Sequence, residues 1–277
     1  MVVTQADVAT GAERLGVAGG TICLHASLRS FPRLVDGPAT LVDGLLSTAA
    51  TVMVATMANE AFAIPAPPED RPARNGIDYA AQDALAAGRP WPGMTDIYDP
   101  SRTEVDGWLG ATSAHVAIRP DRIRCRLSTG TFSALGPLAD RLIGAEVATD
   151  VFGPVRQLAE VNGWVLLAGV GLTSMTLLHL AETQAGRGPF IRWSRGADGR
   201  AVRSRGGECS RGFERLAPVL EPLEARTVVG QSLWRAYPAR EALDRAAEAI
   251  REDPDITHCD DPGCVECTDA IAGGPLD

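Results

Sequence analysis

A chain of 277 residues with 45% hydrophobic content and a net charge of −9 can bury a large core, and its acidity argues against a nucleic-acid partner. No apolar run approaches the roughly 20 residues that cross a bilayer, and the first residues show no basic stretch followed by an apolar one, so the expectation is a soluble, cytoplasmic protein with no membrane partner. All 26 basic side chains are arginines, and the six cysteines read as reduced thiols rather than as a disulfide framework.

Thr4 to Leu15 reads as a first helix, with Thr4 or Asp7 as its cap and Val8, Ala12 and Leu15 as its apolar stripe. Thr21 to His25 is a predicted strand, Ala39 to Leu46 a helix, and Thr51 to Thr56 the next strand. Strand, helix, strand in that order implies a parallel crossover. From Ala58 to about Ser101 the periodicity breaks into prolines, glycines and charges, the composition of a binding loop or lid. Asp106 to Val116 is predicted helical, Ile123 to Arg126 extended, and Pro137 to Ile143 helical. Trp164 to Ala168 is an apolar run read as a buried strand, Phe190 to Gly206 a hairpin, and Glu241 to Arg251 a helix.

Three segments carry candidate chemistry. After the Trp164 strand, a glycine turn leads into a helix holding His179 and Glu182, three residues apart and therefore on one helical face. A neutral imidazole held by a carboxylate takes a proton from an amine or hydroxyl near neutral pH; the same spacing also serves an ordinary surface ion pair. The turn places the pair at the carboxyl end of a strand, where open α/β sheets hold ligands. Leu24 to Phe31 leaves the first strand with a hydroxyl at Ser27 and a cation at Arg29, either an anion-binding corner or a polar turn. Ser128 to Gly136 is a run of small residues before a helix, open to a thin ligand or simply a tight turn. The tail Cys259-x4-Cys264-x2-Cys267 beside His258 offers zinc ligand types, but its spacing matches no closed pair of Cys-x-x-Cys knuckles, so reduced thiols and no metal are expected.

Leu24 to Phe31, Pro38 to Leu46, Gly169 to Glu182, Glu208 to Phe213 and His258 to Cys264, in this order and spacing, resemble the aminoglycoside 3-N-acetyltransferase (antibiotic N-acetyltransferase) family. The resemblance runs through nearly the whole chain, with Thr176, His179 and Glu182 on characteristic positions. Leu127-Ser128 stand where the family commonly has His-Pro, and Ala114 where an acid is usual. The resemblance implies a three-layer α/β/α fold with a mainly parallel central sheet, as one domain over residues 1–277 with a loop-rich, acceptor-binding insertion at about 58–110. It implies an acyltransferase in which acetyl-coenzyme A and an amine, an aminoglycoside or another amine of secondary metabolism, meet in a cleft of a monomer or homodimer. His179 would be the base, Glu182 would orient it, and Thr176 would belong to the same catalytic set. His25, Ala26, Ser27, Leu28, Arg29, Thr131, Phe132, Ser133 and Gly136 would line the coenzyme path, with backbone N–H groups near Ser27 or Thr131 facing the thioester oxygen. Glu60, Asp78, Asp96 and Asp106 would meet the ammonium groups of the acceptor.

Overall fold

Successive residues of strand β1 (Thr21–Ala26) feed two separate cores: Ile22 and Leu24 enter one, Cys23 the other. The computed structural model describes residues 2–88, 91–147, 150–196, 198–207 and 209–276. Helix α1 (Gln5–Arg14) begins at a reciprocal capping box, in which the Asp7 N–H donates to Thr4 Oγ1 at 3.3 Å and the Thr4 N–H to Asp7 Oδ2 at 2.9 Å. After β1 come α2 (Pro38–Leu46) and β2 (Thr51–Ala55), and β1 and β2 pair in parallel as the sequence order requires.

The next stretch holds short elements: α3 (Asn59–Phe62), β3 (Ala63–Ile64), α4 (Tyr79–Gly88) and α5 (Gly110–Ala117). Then follow β4 (Ile123–Arg124), β5 (Phe132–Leu135), α6 (Ala139–Ile143), α7 (Gly153–Glu160), β6 (Trp164–Ala168) and α8 (Leu177–Gln184). The last part comprises β7 (Phe190–Arg195), β8 (Ala201–Gly206), α9 (Ala217–Leu220), β9 (Ala225–Val229), β10 (Ser232–Pro238), α10 (Ala239–Glu252) and α11 (Val265–Ile271).

The main sheet runs β4-β5-β2-β1-β6-β10-β9. Its centre, β2-β1-β6, is parallel, and the outer strands on both sides join antiparallel. Helices cover both faces, giving the α/β architecture that the resemblance implies. On one face Ile22, Val52, Leu166 and Trp234 meet α1 and α2; on the other Cys23, Met53, Leu167 and Tyr237 meet α6 to α10. Helix α10 presents Ala239, Ala242, Ala246, Ala247 and Ala249 inward, small side chains that let it lie close against α8. Among the described residues no helix is long and apolar enough to cross a membrane.

Two expectations change. Residues 132–135, expected as part of a small-residue loop, form a sheet strand whose buried Ser133 hydroxyl meets that of Thr56 at 2.9 Å. The segment read as a binding loop or lid carries short regular elements and is pinned to the β7–β8 hairpin. Ala63 and Ile64 pair with Ser194 and Trp193 in a second sheet, β3-β7-β8. Asn75 exchanges two hydrogen bonds with the Ile191 backbone at 2.7 and 2.9 Å, and Trp193 Nε1 donates to Asp70 at 2.6 Å.

Candidate active site

The ends of β1 and β6 lie side by side. Ala26 is in register with Ala168, and the Ser27 N–H continues the ladder to the Ala168 carbonyl at 3.0 Å. The chain leaves β6 at Gly169, whose φ of +70° suits glycine; a Cβ there would also stand 1.9 Å from Ser30 Oγ. A 3₁₀ turn, Leu172–Ser174, follows. Its first N–H, of Leu172, is taken by Glu214 at 2.6 Å. Helix α8 then starts just after Thr176 and carries His179 and Glu182 on one face.

His179 Nδ1 lies 3.0 Å from Glu182 Oε2. The other carboxylate oxygen accepts from Arg187 Nη1 at 2.6 Å and from Thr257 Oγ1 at 3.1 Å. Arg187 is itself fixed, donating to Thr257 Oγ1 at 2.7 Å and to the Pro254 carbonyl. The side chains of His179, Glu182 and Arg187 are only 12%, 14% and 9% exposed, so this is not a solvated surface pair. The ring stacks on Phe152 at 6.2 Å between centroids and meets the Phe213 ring in an edge arrangement at 4.7 Å. The Gly207 backbone presses against it so closely that a Cβ would stand 2.3 Å from His179 Cγ. With Nδ1 engaged, and with no described residue hydrogen-bonded to Nε2, the second nitrogen is the one available to a ligand.

His179 borders a cleft of about 1170 Å³. His25, Ala26, Ser27, Leu28, Arg29, Phe132 and Thr176 line it as well. Thr131, Ser133 and Gly136 do not: the Thr131 hydroxyl is buried against the Leu127 carbonyl, Ser133 faces Thr56, and Gly136 lies against Ala50 and Thr51. The Ser27 N–H is spent on Ala168, whereas those of Leu28 and Arg29, at the start of the 3₁₀ turn Leu28–Ser30, carry no intramolecular bond among the described residues. Burial pushes the His25 imidazole down to about 4, with Cys23 Sγ 3.6 Å from its Nε2; it is neutral at pH 7.

The four proposed acceptor carboxylates lie off the cleft wall. Asp106 accepts the Glu60 N–H at 2.8 Å, and Glu60 accepts the Gly107 N–H at 3.1 Å. Asp78 accepts the Ala81 N–H at the start of α4 at 3.0 Å, and Asp96 pairs with Arg102. Each is thereby engaged in holding its own segment. Among the described lining residues Glu266 is the only carboxylate, alongside Trp91, Trp108, Trp193, Phe132 and Phe152. Glu208, within one of the segments read from the sequence, lies outside the described residues.

Arg187, Thr257, Gly207 and Phe152 were not singled out by the sequence, and Phe213 entered only as the last residue of a segment that carries the resemblance. Arg187 had a faint signal, a cation just past the end of the helix that bears Glu182; Thr257 had none, since tertiary folding alone brings it there. Behind the imidazole, Cys209, Cys259, Cys264 and Cys267 also gather, their Sγ atoms within 4.8 Å of one another.

Comparison with known proteins supplies the family and the fold. The family described as aminoglycoside 3-N-acetyltransferase matches residues 23–251. Aminoglycoside N(3)-acetyltransferase VIII of Streptomyces fradiae is 31% identical over 190 residues, which are 66% of this chain and 62% of that protein. The chain therefore matches less than two thirds of that relative's length. The apoenzyme structure of aminoglycoside acetyltransferase AAC(3)-IVa superposes with a TM-score of 0.76 at 25% identity, covering 99% of this chain and 98% of that one. AAC-IIIb in its binary complex with CoASH, 20% identical, shares the fold at a TM-score of 0.71, covering 91% of this chain and 97% of that one. The match across most of the chain, with the His179–Glu182 turn and helix inside it, places the protein in the aminoglycoside 3-N-acetyltransferase family.

Proposed function

We propose that the protein is an acetyl-coenzyme A-dependent N-acetyltransferase that moves the acetyl group directly to an amine, with His179 as general base. The observation that carries this reading is the largely buried imidazole anchored at Nδ1 by Glu182 while its ring borders the cleft that the end of β1 also lines. As the amine attacks the thioester carbonyl, His179 Nε2 takes the N–H proton, and Glu182 stabilises the resulting imidazolium. The carbonyl oxygen gains the negative charge, and the N–H groups of Leu28 and Arg29, which border the cleft and carry no intramolecular bond among the described residues, would donate to it. Collapse of the tetrahedral species breaks the C–S bond, and the departing thiolate recovers the proton from His179. Thr176 borders the same region, Arg29 supplies a cation for the phosphates, and residues 58–110 act as the acceptor-binding insertion.

The family name supports an aminoglycoside acceptor. One observation favours a second reading, an N-acyltransferase for a different amine of secondary metabolism. A polycation needs a carboxylate for each ammonium group that is desolvated, and the described lining offers one carboxylate among several aromatic rings. That wall suits an amine with a flat apolar body and few charges.

The test is release of coenzyme A thiol from acetyl-coenzyme A with a panel containing aminoglycosides and aromatic monoamines. His179→Ala is expected to abolish turnover while leaving coenzyme A affinity within a few-fold of wild type. A full rate in that variant would overturn the base assignment. Tight coenzyme A binding with no acetylation of any amine would instead make the protein a non-catalytic coenzyme A-binding relative.

A further inference from the structure

Four thiols from two distant parts of the chain meet behind the His179–Glu182 pair. Cys209 stands on the loop after β8, Cys259 on the stretch after α10, Cys264 at the N-cap of α11, and Cys267 in its first turn. Cys259, Cys264 and Cys267 are buried and Cys209 is half-buried. A tetrahedral zinc with four thiolates at about 2.3 Å spaces its sulfurs by about 3.8 Å. All the sulfurs here already lie within 4.8 Å of one another, so closing the longest pair needs a shift of about 1 Å. We propose that Cys209, Cys259, Cys264 and Cys267 hold one structural zinc ion.

Two further contacts suit thiolates better than a cluster of neutral thiols. The Cys259 N–H donates to Cys267 Sγ at 3.4 Å, and the Arg211 guanidinium donates to Cys264 Sγ at 3.4 Å. A four-thiolate zinc centre carries a net charge of −2, and donors of this kind offset it. His258, adjacent in sequence, stays out: its Nδ1 faces the Cys259 carbonyl at 2.6 Å. On binding, each cysteine gives its S–H proton to solvent and forms a Zn–S bond, with no change of oxidation state. Because protein sulfur fills all four positions, the ion has no open site for chemistry.

The centre would fasten the C-terminal tail to the loop after β8. That loop contributes Gly207 and Phe213 to the walls around the His179 ring, and the tail contributes Thr257 to Glu182. The metal site itself does not depend on the proposed function; the corollary that zinc steadies the base rests on it.

Elemental analysis of the purified protein is expected to give about one zinc per chain. Cys264→Ser and Cys209→Ser should each reduce zinc to background, while Cys125→Ala, at a core position away from the cluster, retains it. Should the serine variants fail to fold, cobalt exchange into the wild-type protein decides, because four thiolates give intense tetrahedral d–d bands and thiolate-to-cobalt charge transfer. Metal-free protein with no such spectrum would overturn the proposal. An intact mass lower by two hydrogens per bridge would assign the sulfurs to disulfides instead, and an unchanged mass to free thiols. Stoichiometric zinc whose removal and return leave kcat unchanged would sink only the corollary.

Discussion

Gly207 and His179 are in such close contact that position 207 has no room for a side chain: a Cβ would come within 2.3 Å of Cγ and 2.4 Å of Nδ1 of the imidazole. The Nδ1 atom is the one that Glu182 holds, so any side chain at 207 acts directly on the orienting hydrogen bond.

Gly207→Ala should therefore push the ring out of line with little effect on the rest of the fold. Misplacing a catalytic group by about 1 Å costs on the order of 10²-fold in rate. We expect a kcat lowered by about that factor and a coenzyme A affinity close to wild type, measured by thiol release and calorimetry. A wild-type kcat would show that the ring does not need this position.

Glu182→Gln keeps the side-chain shape but removes the charge that stabilises an imidazolium. By comparison with other His–carboxylate pairs, kcat should fall by about 10²- to 10⁴-fold. The kcat/KM profile against pH should also change, whereas superimposable wild-type and variant profiles would leave Glu182 without a part in proton transfer.

Arg187→Met tests the buried support beneath the pair. The substitution strips Glu182 of its charged partner and leaves the Pro254 carbonyl without its donor. Breaking a largely buried ion pair from one side destabilises by about 3 kcal/mol. Urea unfolding should show this as a lower midpoint, and a loss below about 0.5 kcal/mol would mean that water replaces the guanidinium freely.

His25 gives the protein an acid-sensitive element. Its imidazole is held down to about 4 by burial, while in the unfolded chain it titrates near 6.5. Between those values the unfolded state binds more protons, so stability is complete above about pH 6.5 and falls as the pH drops toward 4, by on the order of 3 kcal/mol in total. His25→Gln should flatten that part of a stability-against-pH curve. Retention of the same slope would place the acid sensitivity elsewhere.

The sequence made the His179–Glu182 contact easier to see than its setting. Trp164 to Ala168 is uniformly apolar, since β6 is buried almost throughout, and His179 and Glu182 are neighbours on one helix, so spacing alone pairs them. β10 was hidden because its burial alternates while its polarity does not: Ser232 and Ala236 point inward and Leu233 lies exposed. α4 was hidden because none of its described residues is fully buried, leaving no apolar stripe to read. The acceptor carboxylates were chosen by charge and position in the chain, and charge does not reveal that Asp78 and Asp106 are occupied by backbone N–H groups. The sulfur cluster needs Cys209, which no spacing rule joins to the tail.

The in-register ends of β1 and β6 have a consequence for how such a molecule can diversify. Two parallel neighbours locked by the Ala26–Ala168 pairing fix the height at which both of their loops leave the sheet, and sliding either strand by a single residue would exchange its two faces. The hairpin and the segment pinned to it hang from the second sheet, outside that lock. Apart from Gly207, which follows β8 directly and touches the imidazole, their residues are free of that lock, so under the proposed function the acceptor preference of this scaffold can drift while the His179–Glu182 pair keeps its place.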